Sequence, residues 1–172
     1  MLNQLIPAKK VETIYDIDVD ALYQSGVRGI ITDLDNTLVG SRDPHATPEL
    51  MEWLRKVKSL GYKVVIVSNN NRARVSAFAE PLGIPFISRA KKPLNAAFYQ
   101  AQHLLQLNAN AVVVIGDQLM TDIFGANRMG MHSILVRPIS PDDESAGTRV
   151  NRMLERFFLK LMRKKGLMTW ED

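Results

Sequence analysis

Short runs of apolar, often β-branched residues alternate along this chain with stretches in which apolar positions recur every three or four residues. Runs of the first kind predict buried strands at 29–33, 63–68, 85–88, 111–116 and 133–136. The second kind predicts helices over 47–60, 72–82, 93–107 and 121–129, with a short helix over 19–25 ahead of the first strand. Gly26, Gly61, Gly83 and Gly130 stand where four of these helices should stop, and glycine suits the left-handed backbone that closes a helix. Strands and helices in this alternation predict an α/β fold, a three-layer Rossmann-like parallel sheet wound with helices. No internal repeat and no low-complexity linker interrupts the pattern.

After the last predicted strand the pattern changes. Val150, Met153, Leu154, Phe157, Phe158, Leu161 and Met162 line one face of a helix. Residues 149–165 hold seven basic side chains against the single acid Glu155, whereas the rest of the chain has 15 basic and 17 acidic residues. The net charge of +4 therefore belongs to the tail. This divides the chain into a domain over 1–147, with 1–26 as an N-terminal extension and helix, and a basic amphipathic helix and tail over 148–172. Two readings of that helix stand: its apolar stripe packs against the body or a second subunit, or it lies in an anionic membrane interface with its cations toward the head groups.

Composition narrows the classes of function. With 172 residues and 46% hydrophobic content the chain fills one core and is short for two. The absence of cysteine excludes a disulfide framework, thiolate metal ligation and a cysteine nucleophile, and agrees with a reducing cytosol. The N-terminus lacks a charged head before an apolar segment, and no stretch is long enough to cross a bilayer, so the expected location is cytoplasmic, with the tail as a means of peripheral attachment.

In wound parallel sheets ligands bind beyond the carboxyl ends of the strands. Here those ends read Asp33-x-Asp35-x-Thr37, Ser68-Asn69-Asn70 and Gly116-Asp117 followed by Thr121-Asp122, with Lys91-Lys92-Pro93 opening a predicted helix. Asp33 and Asp35, two apart, can face one pocket while Leu34 turns inward. Asp33 and Asp117, from separate strand ends, would repel without a cation between them, and all-oxygen ligation favours Mg²⁺. Thr37, Ser68, Asn69 and Lys92 supply donors and positive charge for phosphate oxygens, and the helix starting at Pro93 adds its free amides. These parts describe a phosphoryl-transfer pocket in which Asp33 attacks phosphorus and Asp35 moves the proton.

The same residues, in this order, resemble the four motifs of the haloacid dehalogenase (HAD) superfamily: Asp33-x-Asp35-x-Thr37, Ser68, Lys92 before proline, and Gly116-Asp117 with Asp122. The resemblance implies that Asp33 is nucleophile and metal ligand, that Asp35 is acid/base and offers its backbone carbonyl to the metal, and that Asp117 is a ligand. Asp122 then either touches the metal or holds its water, and Lys91 is the alternative to Lys92. Dehalogenases lack the second acid of the first motif, so Asp35 implies a phosphatase. Only 32 residues separate Asp35 from Ser68 and 23 separate Ser68 from Lys92, which leaves no room for a large cap domain. An uncapped site suits a lipid head group, a protein or a nucleic-acid end, or a partner subunit that closes it. Among uncapped members the chain is similar to the YqeG-type subfamily and to phosphatidylglycerophosphate phosphatases, which implies an anionic phospholipid substrate.

Other residues have plainer explanations. His45 and His132 fit no metal-ligand spacing and His103 lies inside a helical pattern, so all three are expected to be structural or surface residues. Trp53 sits in the apolar stripe of its helix, and Trp170 lies near the C-terminus. Arg42 or Arg89 is a candidate contact for a second anionic group of the substrate. Three rival functions are a phosphate-accepting signalling module, a non-catalytic scaffold acting through the tail, and nucleic-acid processing. Asp35 beside the nucleophile opposes the first, the complete set of acids opposes the second, and the lack of interleaved aromatic and basic residues opposes the third.

Overall fold

The computed structural model describes residues 2–141 and 146–166. Six strands form one sheet: β1 (Lys9–Val11), β2 (Gly29–Thr32), β3 (Lys63–Val67), β4 (Phe86–Ile87), β5 (Val112–Gly116) and β6 (His132–Val136). Every pairing is parallel, and the order across the sheet is β1-β6-β5-β2-β3-β4. Among the described residues six α-helices accompany it: α1 (Val19–Gln24), α2 (Pro48–Ser59), α3 (Arg72–Ala79), α4 (Asn95–Leu105), α5 (Phe124–Arg128) and α6 (Ala146–Lys164).

The central strands are apolar on both faces because each face is covered. Ile30, Val64, Ile66, Val113 and Ile115 point to one side, where Leu50, Trp53, Leu54 and Val57 of α2 and Val75 and Phe78 of α3 meet them. Ile31, Val65, Val67, Val112 and Val114 point to the other, against Ala97, Phe98, Ala101 and Leu105 of α4 and Ala126 of α5. The four buried residues of α2 stand at i, i+3, i+4 and i+7, and Thr47 caps the helix by accepting from the Leu50 amide, 3.1 Å away. The expected three-layer architecture holds, and Trp53 is core. The three histidines are exposed.

Gly125 lies under the buried Phe98 ring, and a methyl group at that position would fall well inside the ring's van der Waals envelope. Gly125→Ala is therefore expected to destabilise the protein by about 1–3 kcal/mol through overpacking of α4 on α5. Urea unfolding measures this, and an unchanged midpoint at constant m would contradict it.

Several expectations need correction. The segment ahead of α1, read as an extension, contributes the edge strand β1, paired to β6 from Lys9 opposite Ile134 to Val11 opposite Val136. The helix expected over 93–107 starts at Asn95, because Leu94 takes an extended backbone at φ −62°, ψ 138°. Pro93 thus lies in the loop after a cis Lys92–Pro93 peptide bond. The helix expected over 72–82 ends at Ala79 and continues as a 3₁₀ turn, Glu80–Leu82. The one expected over 121–129 begins as a wide π-helical turn, Leu119–Ile123, before α5. Gly26, Gly61, Gly83 and Gly130 all have positive φ, as their helix-closing positions require.

In α6 the apolar stripe is split. Met162 is fully buried against Leu5, Leu119, Ile123 and Leu135, with Phe158 and Leu159 at the edge of that cluster. Val150, Met153, Leu154 and Phe157 remain exposed. Trp170 lies outside the described residues.

Candidate active site

The chain leaves β2 toward β3 on one side and later returns to β5 on the other side, so the strand order reverses between β2 and β5. The crevice at such a reversal is where an α/β sheet binds its ligand. Asp33 follows β2, Ser68 follows β3 and Asp117 follows β5, three adjacent strands, and Lys92 arrives from the loop after β4.

Asp33, Asp117 and Asp122 are buried, and one carboxylate oxygen of each lies within 4.8 Å of the others. Lys92 is buried among them, its ammonium 3.0 Å from Asp33 Oδ1 and 2.6 Å from Asp122 Oδ1. Lys91 is exposed, so of the two lysines Lys92 is the one in the cluster. The Leu34 amide donates to Asp33 Oδ1 at 2.8 Å, and Leu34 itself is fully buried, which fixes the direction of the neighbouring carboxylates. Thr37 donates its hydroxyl to Asp117 Oδ1 at 3.2 Å. Asp122 reaches back over Gly116, where any side chain would collide with it, and accepts from the Gln118 amide at 3.2 Å. The π-helical turn brings Asp122 to that position.

Asp35 points elsewhere. Its carboxylate accepts from Asn70 Nδ2 at 2.9 Å and from Arg74 Nε and Nη2 at 3.1 and 3.0 Å, so it stands outside the carboxylate cluster while lining the same cavity. Asn69 is exposed, and its side chain clasps the Lys92 backbone, accepting from Lys92 N at 2.7 Å. Ser68 is buried, and its oxygen accepts from the Asn70 amide at 3.1 Å, leaving its hydroxyl proton for a ligand. The cavity has a volume of about 290 Å³ and is lined by Asp33, Asp35, Ser68, Asn69, Lys92 and Thr121, among others. Neither Arg42 nor Arg89 lines it.

The residues that sequence reasoning missed are Arg74 and Arg152, while Thr121 was noted beside Asp122 without a role. Arg74, in the first turn of α3, holds Asp35. The Thr121 hydroxyl is buried at the cavity without a hydrogen-bond partner among the described residues. Arg152 of α6 grips Asp117, donating to its backbone carbonyl at 2.5 Å and to its Oδ2. An arginine on a helix is ordinarily a solvated charge, so only Arg74's place directly after the Ser68-Asn69-Asn70 strand end offered a signal.

Electrostatics set the cluster apart. Burial pushes the Asp33 carboxyl up to about 7, with Lys92 opposing the rise and Asp122 adding to it. Burial likewise pushes Asp117 up to about 8, helped by Asp33 and opposed by Arg152. For Lys92 burial acts downward, but Asp122 and Asp33 together outweigh it and hold the ammonium above its ordinary range. Two buried acids, Asp33 and Asp117, this reluctant to ionise and set beside the buried carboxylate of Asp122 match a hard divalent cation such as Mg²⁺, which would offset the desolvation penalty that raises the first two. The donor set of carboxylate oxygens and an unpaired hydroxyl fits that ion.

A pH dependence follows. The folded chain keeps the Asp33 and Asp117 protons to a higher pH than the unfolded chain, whose carboxylates titrate near 3.8. Their contribution is fully present below that value and is lost as pH rises through about 7 and about 8. Without divalent cations the melting temperature is expected to fall from about pH 4 to about pH 8, and the increment produced by Mg²⁺ is expected to grow over the same range. Calorimetry in chelator and in excess Mg²⁺ measures both, and a flat or rising metal-free profile would contradict the assignment.

A family model described as mitochondrial PGP phosphatase matches residues 2–140. The chain belongs to this family. It is 49% identical over 167 residues to the probable phosphatase YqeG of Bacillus subtilis, a match covering 97% of this chain and 96% of that protein. It is 25% identical to phosphatidylglycerophosphatase GEP4 of Saccharomyces cerevisiae, covering 76% of this chain and 77% of that one. The Arabidopsis thaliana phosphatidylglycerophosphate phosphatase 1 is 28% identical over 95% of this chain, which spans 49% of that protein. In fold it is similar to a HAD phosphatase from Thermococcus onnurineus, with a TM-score of 0.53 at 16% identity over 70% of this chain and 90% of that one. This member of the PGP phosphatase family is thus a phosphatase built on a fold similar to that of a HAD phosphatase.

Proposed function

We propose that this phosphatase removes the terminal phosphate of phosphatidylglycerophosphate in a Mg²⁺-dependent reaction through an aspartyl-phosphate on Asp33. The observation that carries the mechanism is the placement of Asp33 beside Lys92, Asp117 and Asp122 at the reversal of strand order. A carboxylate oxygen of Asp33 attacks phosphorus, and the bond from phosphorus to the departing glycerol oxygen breaks. Asp35, held by Arg74 and Asn70 in the lining of the same cavity, gives that oxygen its proton. In the second half, Asp35 takes a proton from water, the water oxygen attacks phosphorus, and the bond to Asp33 breaks, releasing inorganic phosphate. Lys92 and the Ser68 hydroxyl hold the phosphoryl oxygens throughout, where charge accumulates. Asp33, Asp117, Asp122 and the Asp35 carbonyl would hold Mg²⁺. When bound, the ion screens the repulsion between the attacking carboxylate and the phosphate dianion.

Two observations support a lipid substrate. The related proteins from yeast and Arabidopsis carry the substrate in their names. The segments between the motifs hold α2, β3, α3 and β4 and no further domain, so a bilayer-anchored head group can reach the cavity. No helix among the described residues is long and apolar enough to cross a membrane. The exposed Val150, Met153, Leu154 and Phe157, flanked by exposed Arg156, Lys160, Arg163 and Lys164, offer a peripheral contact with anionic lipid instead.

The test is phosphate release from phosphatidylglycerophosphate in mixed micelles, beside a panel of soluble phosphomonoesters, with Mg²⁺ and with chelator. The reading predicts a clear preference for the lipid and loss of activity in chelator. Equal rates on soluble esters would discard the lipid assignment while keeping the phosphatase.

A further inference from the structure

Arg152 places a second cation against the carboxylate cluster. It donates Nη2 to Asp117 Oδ2 and Nη1 to the Asp117 carbonyl, and Nη1 also pairs with Glu155 Oε2 at 3.1 Å. Glu155, itself buried, accepts from the Met120 amide at 3.3 Å. The Asp117 side chain has no solvent exposure, and its other oxygen accepts from Thr37. Asp117 is thus fully engaged, and its partner on Oδ2 is a guanidinium, which cannot neutralise itself by losing a proton.

The way α6 is attached gives this pair a consequence. The C-terminal half of the helix is held by apolar packing of Met162, Phe158 and Leu159. Over residues 150–157, Val150, Met153, Leu154 and Phe157 are exposed, and polar contacts reach the body, among them Arg152 on Asp117, Glu155 on Met120, and Asn151 on Gln118 at 3.4 Å. A polar grip on a charged site is sensitive to the charge that site carries. Among the described residues Lys92 and Arg152 are the cations paired with Asp33, Asp117 and Asp122, and the guanidinium supplies compensation that a buried acid cluster requires. A divalent cation at the same carboxylates supplies more positive charge at shorter range and repels the guanidinium.

We infer that Arg152 and the divalent cation compete for Asp117, so that Arg152 sets metal affinity and the N-terminal half of α6 is a latch that metal loading releases. This rests on the reading that the cation binds at Asp33, Asp117 and Asp122. The coupling is reciprocal: whatever lifts this half of α6 tightens metal binding by the same factor. The latch uses residues already in place, and it links occupancy of the site to the freedom of the basic, apolar helix to move.

The lack of cysteine makes the test clean. Mn²⁺ affinity is measured by electron paramagnetic resonance for the wild-type chain, Arg152→Ala and Arg152→Lys. In parallel, a nitroxide on Leu154→Cys, in a background that keeps Arg152, reports the mobility of α6 during a Mg²⁺ titration. The expected results are Mn²⁺ binding roughly tenfold tighter in Arg152→Ala, an intermediate value in Arg152→Lys, and a nitroxide that turns mobile as Mg²⁺ saturates. Unchanged or weaker Mn²⁺ binding in Arg152→Ala, or a spectrum unaltered at saturating Mg²⁺, would overturn the inference while leaving the metal site standing. Absence of Mn²⁺ binding in all three proteins would overturn the metal reading as well.

Discussion

Asparagine in place of Asp33 is expected to lower kcat by on the order of 10⁴–10⁶-fold, the scale seen when a covalent nucleophile is removed. The side chain keeps its shape and its hydrogen bond from the Leu34 amide, but its oxygen is no longer nucleophilic. The fold should not suffer. Burial already pushes the Asp33 carboxyl up to about 7, so near neutral pH the protein works against part of its charge, and the neutral amide removes that cost. Lys92 retains Asp122 at 2.6 Å. The expected result is therefore an inactive variant whose melting temperature is equal to or above that of the wild type, read by steady-state kinetics and calorimetry on the same sample. A variant that keeps more than about one per cent of kcat would remove Asp33 from the nucleophile's role.

The second large effect concerns Lys92, and here activity and stability should fall together. The ammonium lies between Asp33 and Asp122 with almost no exposure, and Lys92→Ala leaves those carboxylates buried without their common partner. Breaking one side of a buried ion pair costs about 3–5 kcal/mol. Partial protonation of Asp33 and Asp117, both of which sit high, softens the loss near pH 6 and leaves it complete at alkaline pH. Activity should fall by about 10²–10³-fold, since one charged donor to the phosphoryl oxygens is gone. Lys92→Met, which keeps the volume, should show nearly the same loss of both, which separates charge from packing. Thermal melts of wild type and both variants, in chelator and in Mg²⁺, check this. A Lys92→Met variant as stable as wild type in chelator would mean that the cluster is not held together by this charge.

The contrast between Asp33 and Lys92 also shows what sequence reading reaches. The carboxylates were legible because each follows an apolar strand at the edge where such sheets bind ligands, and a polar residue at the end of a β-branched run stands out. Strands β2, β3, β5 and β6 were legible to within about a residue for the same reason, being buried on both faces. Strand β1 was not, because Lys9–Val11 is a three-residue edge strand with two lysines, paired on one side only, and carries no apolar run. The start of α4 was misjudged because Pro93 resembles a first helical residue, while Leu94 in fact keeps an extended backbone.

The partners of the acids were the harder part. That Asp35 is held by Arg74, or that Asp117 is gripped by Arg152 from a helix 35 residues further on, depends on how α3 and α6 are set against the sheet. The tail illustrates the same limit from another side. Its apolar stripe was correctly seen, but a stripe does not say which half is covered, and Met162 is buried while Phe157, five residues earlier, is exposed.

The central claim is that phosphate passes through a covalent bond to Asp33. The most direct measurement mixes enzyme with radiolabelled substrate, quenches in acid within one turnover, reduces the protein with borohydride, and locates homoserine by peptide mass. The account predicts acid-stable label on the wild-type chain, homoserine at position 33 and nowhere else, and neither signal in Asp33→Asn. Turnover without protein-bound label, or homoserine at position 35 or 117, would contradict it.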